Sequence, residues 1–196
     1  MGNGEGAGKG PRYEDIIKTS IEVFSRTNYE KATTAMLARE AGVAEGTLYK
    51  YFSSKKELFL ACYRYIGQIL VERYTLIYRE TKDSPREYLR RVARSYLDFL
   101  KENPSMRRFL AFVLNNSFDQ DFLNELKGFI DLNIQATESM IRKALEKGEL
   151  RNGLDPRSAA WFFVGGYFTL ILMTELDAEE ARDPAFIDNL LVMILK

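Results

Sequence analysis

The chain has no histidine and only one cysteine, Cys62, among its 196 residues. A single cysteine excludes an intramolecular disulfide and any zinc site that needs paired thiolates. Without histidine there is no Ser-His or Cys-His couple and no imidazole metal ligand. An enzyme would have to rely on carboxylates, lysine or tyrosine alone. We therefore predict no catalytic residues, no cofactor and no metal.

The chain also lacks segments typical of membrane or exported proteins. Its longest apolar run, residues 159–173, contains Thr169 and is shorter than the ~20 residues that span a bilayer. The opening MGNGEGAGKGPR has no apolar core of the kind found in signal peptides. We predict a flexible tail over residues 1–11 and a soluble, cytoplasmic protein.

What remains is a sequence typical of helices. There are only five prolines, and apolar residues recur every three or four positions, as Ile17, Ile21 and Phe24 do. No segment alternates apolar and polar residues, so we predict an all-α fold. The expected helices cover 12–28, 33 or 34 to 41, a short stretch from about 45, 54–81, 85–103, 106–114, 121–145, 155–176 and 184–194.

The first part of the chain has the features of a helix-turn-helix unit. Gly42 follows a short helix at the position where a left-handed residue commonly ends one. Ala38 is small enough to let the next helix approach, and Val43 and Leu48 can fill the space between the two helices. Ser54 and Glu57 form a capping box that opens a long helix.

The segment TTAMLAREAGVAEGTLYKYFSSKKELF, residues 33–59, resembles the DNA-binding region of TetR-family transcriptional regulators. The shared features are a Thr-Thr start, the Ala-Gly-Val turn, Gly-Thr-Leu-Tyr, an aromatic pair and the following Ser-Lys-Glu-Leu type pattern. The resemblance implies a helix-turn-helix domain at 12–55. A long helix would join it to a larger helical domain at 56–196 for ligand binding and dimerisation.

The resemblance also implies which residues contact DNA. Thr34 would bind a phosphate at a helix N-terminus, and base-facing residues would lie on the helix after Gly42. The expected DNA-binding residues are Thr33, Thr34, Glu45, Gly46, Thr47, Tyr49, Lys50, Tyr51 and Lys55. Net charge is zero, so binding would depend on the local strip of lysines at 50, 55 and 56.

Two departures from the family pattern concern the recognition helix. Ala44 stands where relatives often have serine, so the helix lacks a side-chain N-cap worth about 1 kcal/mol. Glu45 stands where many relatives have a neutral or basic residue; it repels phosphate but can accept a hydrogen bond from cytosine. Phe52 is expected to pack in the core rather than face DNA.

The last two-thirds of the chain is rich in aromatic residues, most of which are expected to form the core. The family resemblance implies that some of them line a cavity for an apolar or amphipathic effector. The expected ligand-binding residues are Tyr63, Tyr96, Phe99, Phe112, Asn115, Asn116, Asn133 and Trp161.

The segment WFFVGGYFTLILM is apolar on every face of a helix, which indicates burial against a partner subunit. The family forms a dimer through its last two helices, here about 155–176 and 184–195. The expected interface residues are Trp161, Val164, Gly165, Gly166, Phe168, Leu172 and Leu191.

These features predict a homodimeric, ligand-responsive repressor that binds a palindromic operator in double-stranded DNA. Two alternatives come from other classes: an all-helical adaptor that binds proteins and not DNA, and a helical enzyme using carboxylates or tyrosine. The lack of any nucleophile–base pair argues against the enzyme.

Overall fold

The computed structural model describes residues 11–115 and 120–196, and helices dominate both ranges. No β-strand forms within these ranges, which confirms the predicted all-α class. The helices are α1 Pro11–Lys31, α2 Thr34–Glu40, α3 Glu45–Tyr51, α4 Lys55–Thr81, α5 Pro85–Glu102, α6 Pro104–Asn115, α7 Gln120–Glu146, α8 Pro156–Glu175 and α9 Phe186–Leu191, with a 3-10 turn at Glu179–Arg182 before α9. Most of the predicted tail, residues 1–10, lies outside the described residues.

The chain divides into two compact units, one up to Ile66 and the other Gly67–Lys196. The division falls inside α4, 11 residues beyond the predicted boundary between 55 and 56. The division at Ile66 separates two groups of packed residues. The predicted boundary separates DNA binding from ligand binding and dimerisation, and it stays a prediction.

The N-terminal unit packs α1, α2 and α3 around a small apolar core. Ile17, Phe24, Leu37 and Leu48 are almost completely buried there. The helix predicted to end at Asn28 continues to Lys31. The reason is the Tyr29 ring, which packs against Phe24 and Phe59 and so holds the last turn on the core.

The turn between α2 and α3 is a complete Schellman motif centred on Gly42. Gly42 has φ +63°, its N–H donates to the Arg39 carbonyl at 3.0 Å, and the Val43 N–H donates to the Ala38 carbonyl at 2.9 Å. These two bonds satisfy carbonyls that would otherwise be left open at the end of α2. The predicted helix stop at Gly42 is therefore confirmed in its geometry.

The C-terminal unit is built on α5, α7 and α8, which pack against one another. Its buried side chains include Leu89, Phe99, Phe109, Ile141 and Ala160. The start of α8 matches the prediction: Asp155 caps it by accepting from the Ser158 N–H at 2.8 Å, and Pro156 occupies the first turn. In the described ranges, no helix combines the length and apolar character needed to cross a membrane.

The last predicted helix, 184–194, is wrong in length. Helix α9 covers only Phe186–Leu191, and the final residues turn back to pair with 149–151. The Arg151 N–H donates to the Ile194 carbonyl at 3.0 Å and the Lys196 N–H to the Glu149 carbonyl at 2.8 Å. This pairing buries Leu150 and Leu195, and the apolar burial holds the chain end in a non-helical path.

The positive φ of Gly42 leads to a first prediction. A residue with a Cβ in left-handed backbone costs roughly 1–2 kcal/mol, so Gly42→Ala should lower the free energy of unfolding of the N-terminal unit by about 1 kcal/mol. Urea denaturation followed by circular dichroism measures this.

The matched control for this substitution is Gly46→Ala in α3. Gly46 is helical without a positive φ, and an added Cβ would meet no atom within 4 Å. Alanine should stabilise this position by roughly 0.5–1 kcal/mol. Two variants that both destabilise, or both stabilise, would contradict the assigned role of the turn.

Candidate nucleic-acid interface and pocket

Helix α3 has one buried side and one exposed side. Leu48 is fully buried, whereas Glu45, Gly46, Tyr49, Lys50 and Tyr51 are exposed. Phe52, just after the helix, is buried and stacks on Tyr13 with 5.1 Å between ring centroids, which confirms its expected core role. The exposed side therefore carries most of the predicted DNA-binding residues of this helix.

The structure brings three predicted contact residues together where α2 and α3 begin. The Thr34 hydroxyl donates to the Glu45 carboxylate, and the Tyr49 hydroxyl lies 3.4 Å from the Thr34 oxygen. A threonine hydroxyl has only one proton to donate. A phosphate that takes the Thr34 proton must therefore displace the Glu45 carboxylate.

The predicted residue Thr33 has a structural role in this region. Its hydroxyl accepts from the Met36 N–H at 3.2 Å and so caps α2. As expected, no side chain caps α3 at Ala44. Glu45 lies in the first turn of α3, where a negative charge interacts favourably with the helix dipole. Thr47, half-buried, lies in the same turn.

Lys55, at the start of α4, is held by contacts within the N-terminal unit. Its ammonium donates to the Tyr29 carbonyl at 2.9 Å and lies 4.3 Å from the centroid of the Tyr29 ring. Ser54 caps α4 by accepting from the Glu57 N–H at 3.1 Å, while the Glu57 carboxylate contacts Arg64 at 2.5 Å. An ammonium has three protons, so Lys55 can bind a phosphate while it holds Tyr29.

Within the described residues, no group of three or more His, Cys, Asp or Glu side chains could hold a metal ion. Cys62 is fully buried, its Sγ 3.7 Å from the Ile17 carbonyl oxygen. Burial raises the pKa of this thiol well above its ordinary value. It therefore stays protonated and is a poor nucleophile.

The C-terminal unit contains a pocket of about 360 Å³ bounded by α4, α5, α7 and α8. Its deep wall is formed by buried side chains, notably Tyr74, Tyr88 and Tyr167, and Val71, Tyr78 and Leu132 stand exposed on its outer side. The full lining is Val71, Tyr74, Thr75, Tyr78, Tyr88, Val92, Leu132, Asn133, Ala136, Thr137, Ser139 and Tyr167.

Of the predicted ligand-binding residues, Asn133 alone lines this pocket among the residues that are described. Tyr96 packs against Tyr167, 4.6 Å between ring centroids, and stacks on Phe99 behind it. Trp161 is 49% exposed on α8. Phe112 is half-buried on α6, and Tyr63 is buried in the N-terminal unit. The side chain of Asn115 and all of Asn116 lie outside the described residues.

The sequence prediction missed Tyr74, Tyr88 and Thr137 as pocket residues. The sequence does contain a signal for Tyr74. The helical spacing along α4 places four side chains on one face, those of Val71, Tyr74, Thr75 and Tyr78. That spacing alone is equally typical of core packing, so it does not distinguish a pocket from a filled core.

The outer face of α8 is apolar and exposed. Trp161, Phe162, Phe168 and Leu172 are exposed on this helix, as is Leu176 directly after it. A Cβ added at Gly165 or Gly166 would meet no atom within 4 Å. A groove of about 280 Å³ runs between α8 and α9. Two predicted interface residues, Val164 and Leu191, are instead 2% and 1% exposed, so they support the face from within.

The sequence is similar to those of known bacterial regulators. The sequence profile of the family described as "Bacterial regulatory proteins, tetR family" matches residues 16–62. The chain is 30% identical over 152 residues to the nucleoid occlusion factor SlmA of Marinobacter nauticus, covering 78% of this chain and 75% of SlmA. It is 26% identical over 160 residues to the fatty acid metabolism regulator protein of Bacillus subtilis, covering 80% of each.

The fold is also that of a solved regulator. The crystal structure of the transcriptional regulator FadR from Bacillus subtilis in complex with stearoyl-CoA superposes with a TM-score of 0.77 at 19% identity, covering 92% of this chain and 96% of FadR. The helix-turn-helix unit and the larger helical unit thus define a DNA-binding transcriptional regulator. The chain belongs to the TetR family.

Lys55 provides the prediction for this surface. Lys55→Ala should weaken DNA binding similarly for all sequences and reduce the slope of log affinity against log salt by about 1, as expected for one lost phosphate contact. Fluorescence anisotropy over a series of salt concentrations measures both quantities.

The control for Lys55→Ala is Lys127→Ala, an exposed lysine on α7, which should leave the slope unchanged. Thermal unfolding is measured in parallel, because Lys55 also holds the Tyr29 carbonyl. A lower melting temperature with an unchanged slope would show that Lys55 serves only the fold.

Proposed function

We propose that this chain acts as a homodimeric repressor that binds a palindromic operator and is released from it by a small apolar or amphipathic effector. The observation that carries the proposal is the exposed side of α3, where Gly46, Tyr49 and Lys50 face solvent beside Thr34. An α-helix of this type fits the major groove of B-DNA, where each base pair shows a distinct pattern of hydrogen-bonding groups.

The shortness of α3 supports a dimer. The helix has seven residues, about two turns, and can reach only a few base pairs of one half-site. Helix-turn-helix proteins extend such a site by pairing, so that two recognition helices enter major grooves one helical turn, about 34–36 Å, apart. A two-fold symmetric protein then requires a palindromic operator.

The outer face of α8 is the surface best suited to pairing. Contiguous exposed apolar side chains mark interaction sites in soluble proteins, and this face has five large ones, Trp161, Phe162, Phe168, Leu172 and Leu176. The open sides of Gly165 and Gly166 let a second backbone approach closely. Helix α9 has only six residues, too few for the second long helix that the family resemblance implies, so the proposed interface centres on α8.

The pocket supports regulation by an effector. It is lined by α4 residues, and α4 also carries Lys55 at its N-terminal end. A ligand that favours one position of α4 can therefore change the placement of the DNA-binding residues. It needs only a difference in affinity between two arrangements of the chain. FadR of Bacillus subtilis, which shares this fold, has been crystallised with stearoyl-CoA.

A second candidate function follows from the relative SlmA, which is named a nucleoid occlusion factor. A protein acting on the nucleoid as a whole must occupy sites spread along the chromosome, whereas a repressor occupies a few sites near promoters. Mapping of bound sites by chromatin immunoprecipitation separates the two functions.

The proposed DNA specificity is tested by selecting bound sequences from a random pool of double-stranded DNA. We expect the enriched sequences to contain two inverted half-sites with centres one helical turn or a multiple of it apart. Enrichment of a single, non-repeated motif would contradict binding as a symmetric dimer.

The dimer surface predicts the effect of Leu172→Glu. Leu172 is 59% exposed on the outer face of α8, so a charge there costs a single chain little but would be buried unpaired in the dimer. Light scattering should show a monomer, and operator affinity should fall by at least tenfold, because truncating or charging an interface centre typically costs more than about 2 kcal/mol.

The control is Leu76→Glu on α4, where the leucine is 58% exposed. This variant should remain a dimer and bind the operator like the unmodified chain. If Leu172→Glu also remains a dimer, the outer face of α8 is not the interface.

Regulation by an effector predicts a reciprocal effect. An effector in the pocket should lower operator affinity by roughly 5–150-fold, and operator DNA should lower effector affinity by the same factor, since the coupling free energy is shared. Titration of each ligand with and without the other measures the two factors. An effector shown to occupy the pocket that leaves operator affinity unchanged, or raises it, would contradict release as the mechanism.

A further inference from the structure

The pocket in the C-terminal unit has a buried polar group that the protein itself does not satisfy. Tyr74 is only 8% exposed, it lines the pocket, and its hydroxyl has no hydrogen-bond partner. The nearby Tyr167 ring lies 6.4 Å away between centroids and is tilted by 33°, so the two phenols share this wall of the pocket. Leaving a buried hydroxyl unsatisfied costs about 1–3 kcal/mol.

The described lining residues carry no formal charge. Four are tyrosines, Tyr74, Tyr78, Tyr88 and Tyr167, and the rest are apolar or neutral polar residues. Burial raises the pKa of Tyr74, Tyr88 and Tyr167 above the ordinary value, so these phenols stay neutral at physiological pH. The Lys143 ammonium, 5.6 Å from the centroid of the Tyr78 ring, is not part of the lining and donates to the Lys82 carbonyl at 3.1 Å.

A second polar group in the pocket accepts hydrogen bonds. The Asn133 side chain is buried, and its Nδ2 donates to the Phe129 carbonyl at 2.8 Å. With Nδ2 engaged in this bond, the amide oxygen is the acceptor that Asn133 can offer a ligand. The Thr75 hydroxyl is already used, since it donates to the Val71 carbonyl at 2.8 Å.

We propose that this pocket takes a compact, uncharged apolar molecule bearing a carbonyl or hydroxyl group that hydrogen-bonds to the Tyr74 hydroxyl. A carboxylate or phosphate has no cation in the lining to pair with, and burying an unpaired anion is costly. A neutral oxygen instead satisfies Tyr74 and can add a bond to Asn133. The chemistry of the pocket stands by itself; only the identification of its ligand with the effector rests on the proposed function.

The volume agrees with a compact ligand. Small-molecule pockets span roughly 300–1,000 Å³, and this one, at about 360 Å³, lies near the lower limit. The exposed outer residues Val71, Tyr78 and Leu132 leave an open side through which a ring-sized molecule can enter. The tyrosine rings offer faces and edges to an aromatic ligand.

Three probes of similar size separate the effect of a carbonyl group on binding from the effect of a negative charge. They are 2-acetylnaphthalene, which is neutral with a carbonyl; 2-ethylnaphthalene, which lacks the carbonyl; and 2-naphthoate, which is charged. Stearoyl-CoA serves as a large anionic comparison. Binding to the full chain is measured by equilibrium dialysis, with Tyr74→Phe as the test variant and Tyr65→Phe as the control, since Tyr65 is a half-buried tyrosine of α4 that does not line the pocket.

We expect the unmodified chain to bind 2-acetylnaphthalene more tightly than either of the other naphthalenes. Tyr74→Phe should weaken binding of the ketone by about tenfold, the usual value of one buried hydrogen bond, and leave 2-ethylnaphthalene unchanged. Tyr65→Phe should leave both unchanged. Without ligand, Tyr74→Phe should melt at the same or a higher temperature, because it removes an unsatisfied hydroxyl.

Several results would overturn the proposal. These are equal or tighter binding of 2-naphthoate or stearoyl-CoA in the pocket, no binding of the ketone at its solubility limit, ketone binding unaffected by Tyr74→Phe, or a lower melting temperature of the ligand-free variant. If an anionic probe binds in the pocket and releases operator DNA, regulation by an effector is supported and the preference for a neutral ligand is contradicted. If the ketone binds through Tyr74 without changing operator affinity, the preference for a neutral ligand is supported and the effector role of that ligand is contradicted.

Discussion

The left-handed backbone of Gly42 is the constraint on which the DNA-binding surface depends. It reverses the chain after α2, with the Val43 N–H bonded to the Ala38 carbonyl, and sets the direction of α3. The Arg12 guanidinium donates to the Gly42 carbonyl at 2.9 Å, which links the same turn to α1. With that direction set, Leu48 enters the core and Tyr49 and Lys50 face solvent.

Helix α8 shows how one apolar segment can meet two demands. Its inner residues, among them Val164 and Tyr167, fill the core of the C-terminal unit, and Tyr167 also lines the pocket. Its outer residues remain exposed and suit a second copy of the chain. Because the pocket residue Tyr167 and the exposed apolar residues lie on the same helix, a shift of α8 caused by a ligand would also move the surface proposed for pairing with a second copy.

Local signals were enough to predict most helix limits. The helix limits near Thr33, Gly42 and Asp155 depend on bonds within a few residues, which is the range over which sequence signals for helix ends act. The short α9 depends on pairing between 149–151 and the chain end, and the pocket depends on Tyr74 and Tyr167 meeting from different helices. Such contacts join distant segments, and periodicity carries no information about them.

The electrostatics of α3 bear on how tightly one copy can hold DNA. The chain has no net charge, and Glu45 holds the Thr34 proton that a phosphate would take. Counterion release, which supplies most non-specific affinity, grows with the number of phosphates neutralised, and α3 itself carries one cation, Lys50. In the proposed dimeric mode of binding, each half-site is then weakly bound, and stable occupancy requires both at once. In the proposed mechanism, an effector that disturbs one half-site contact weakens the whole complex, and a coupling of about 1–3 kcal/mol lowers operator affinity roughly 5–150-fold.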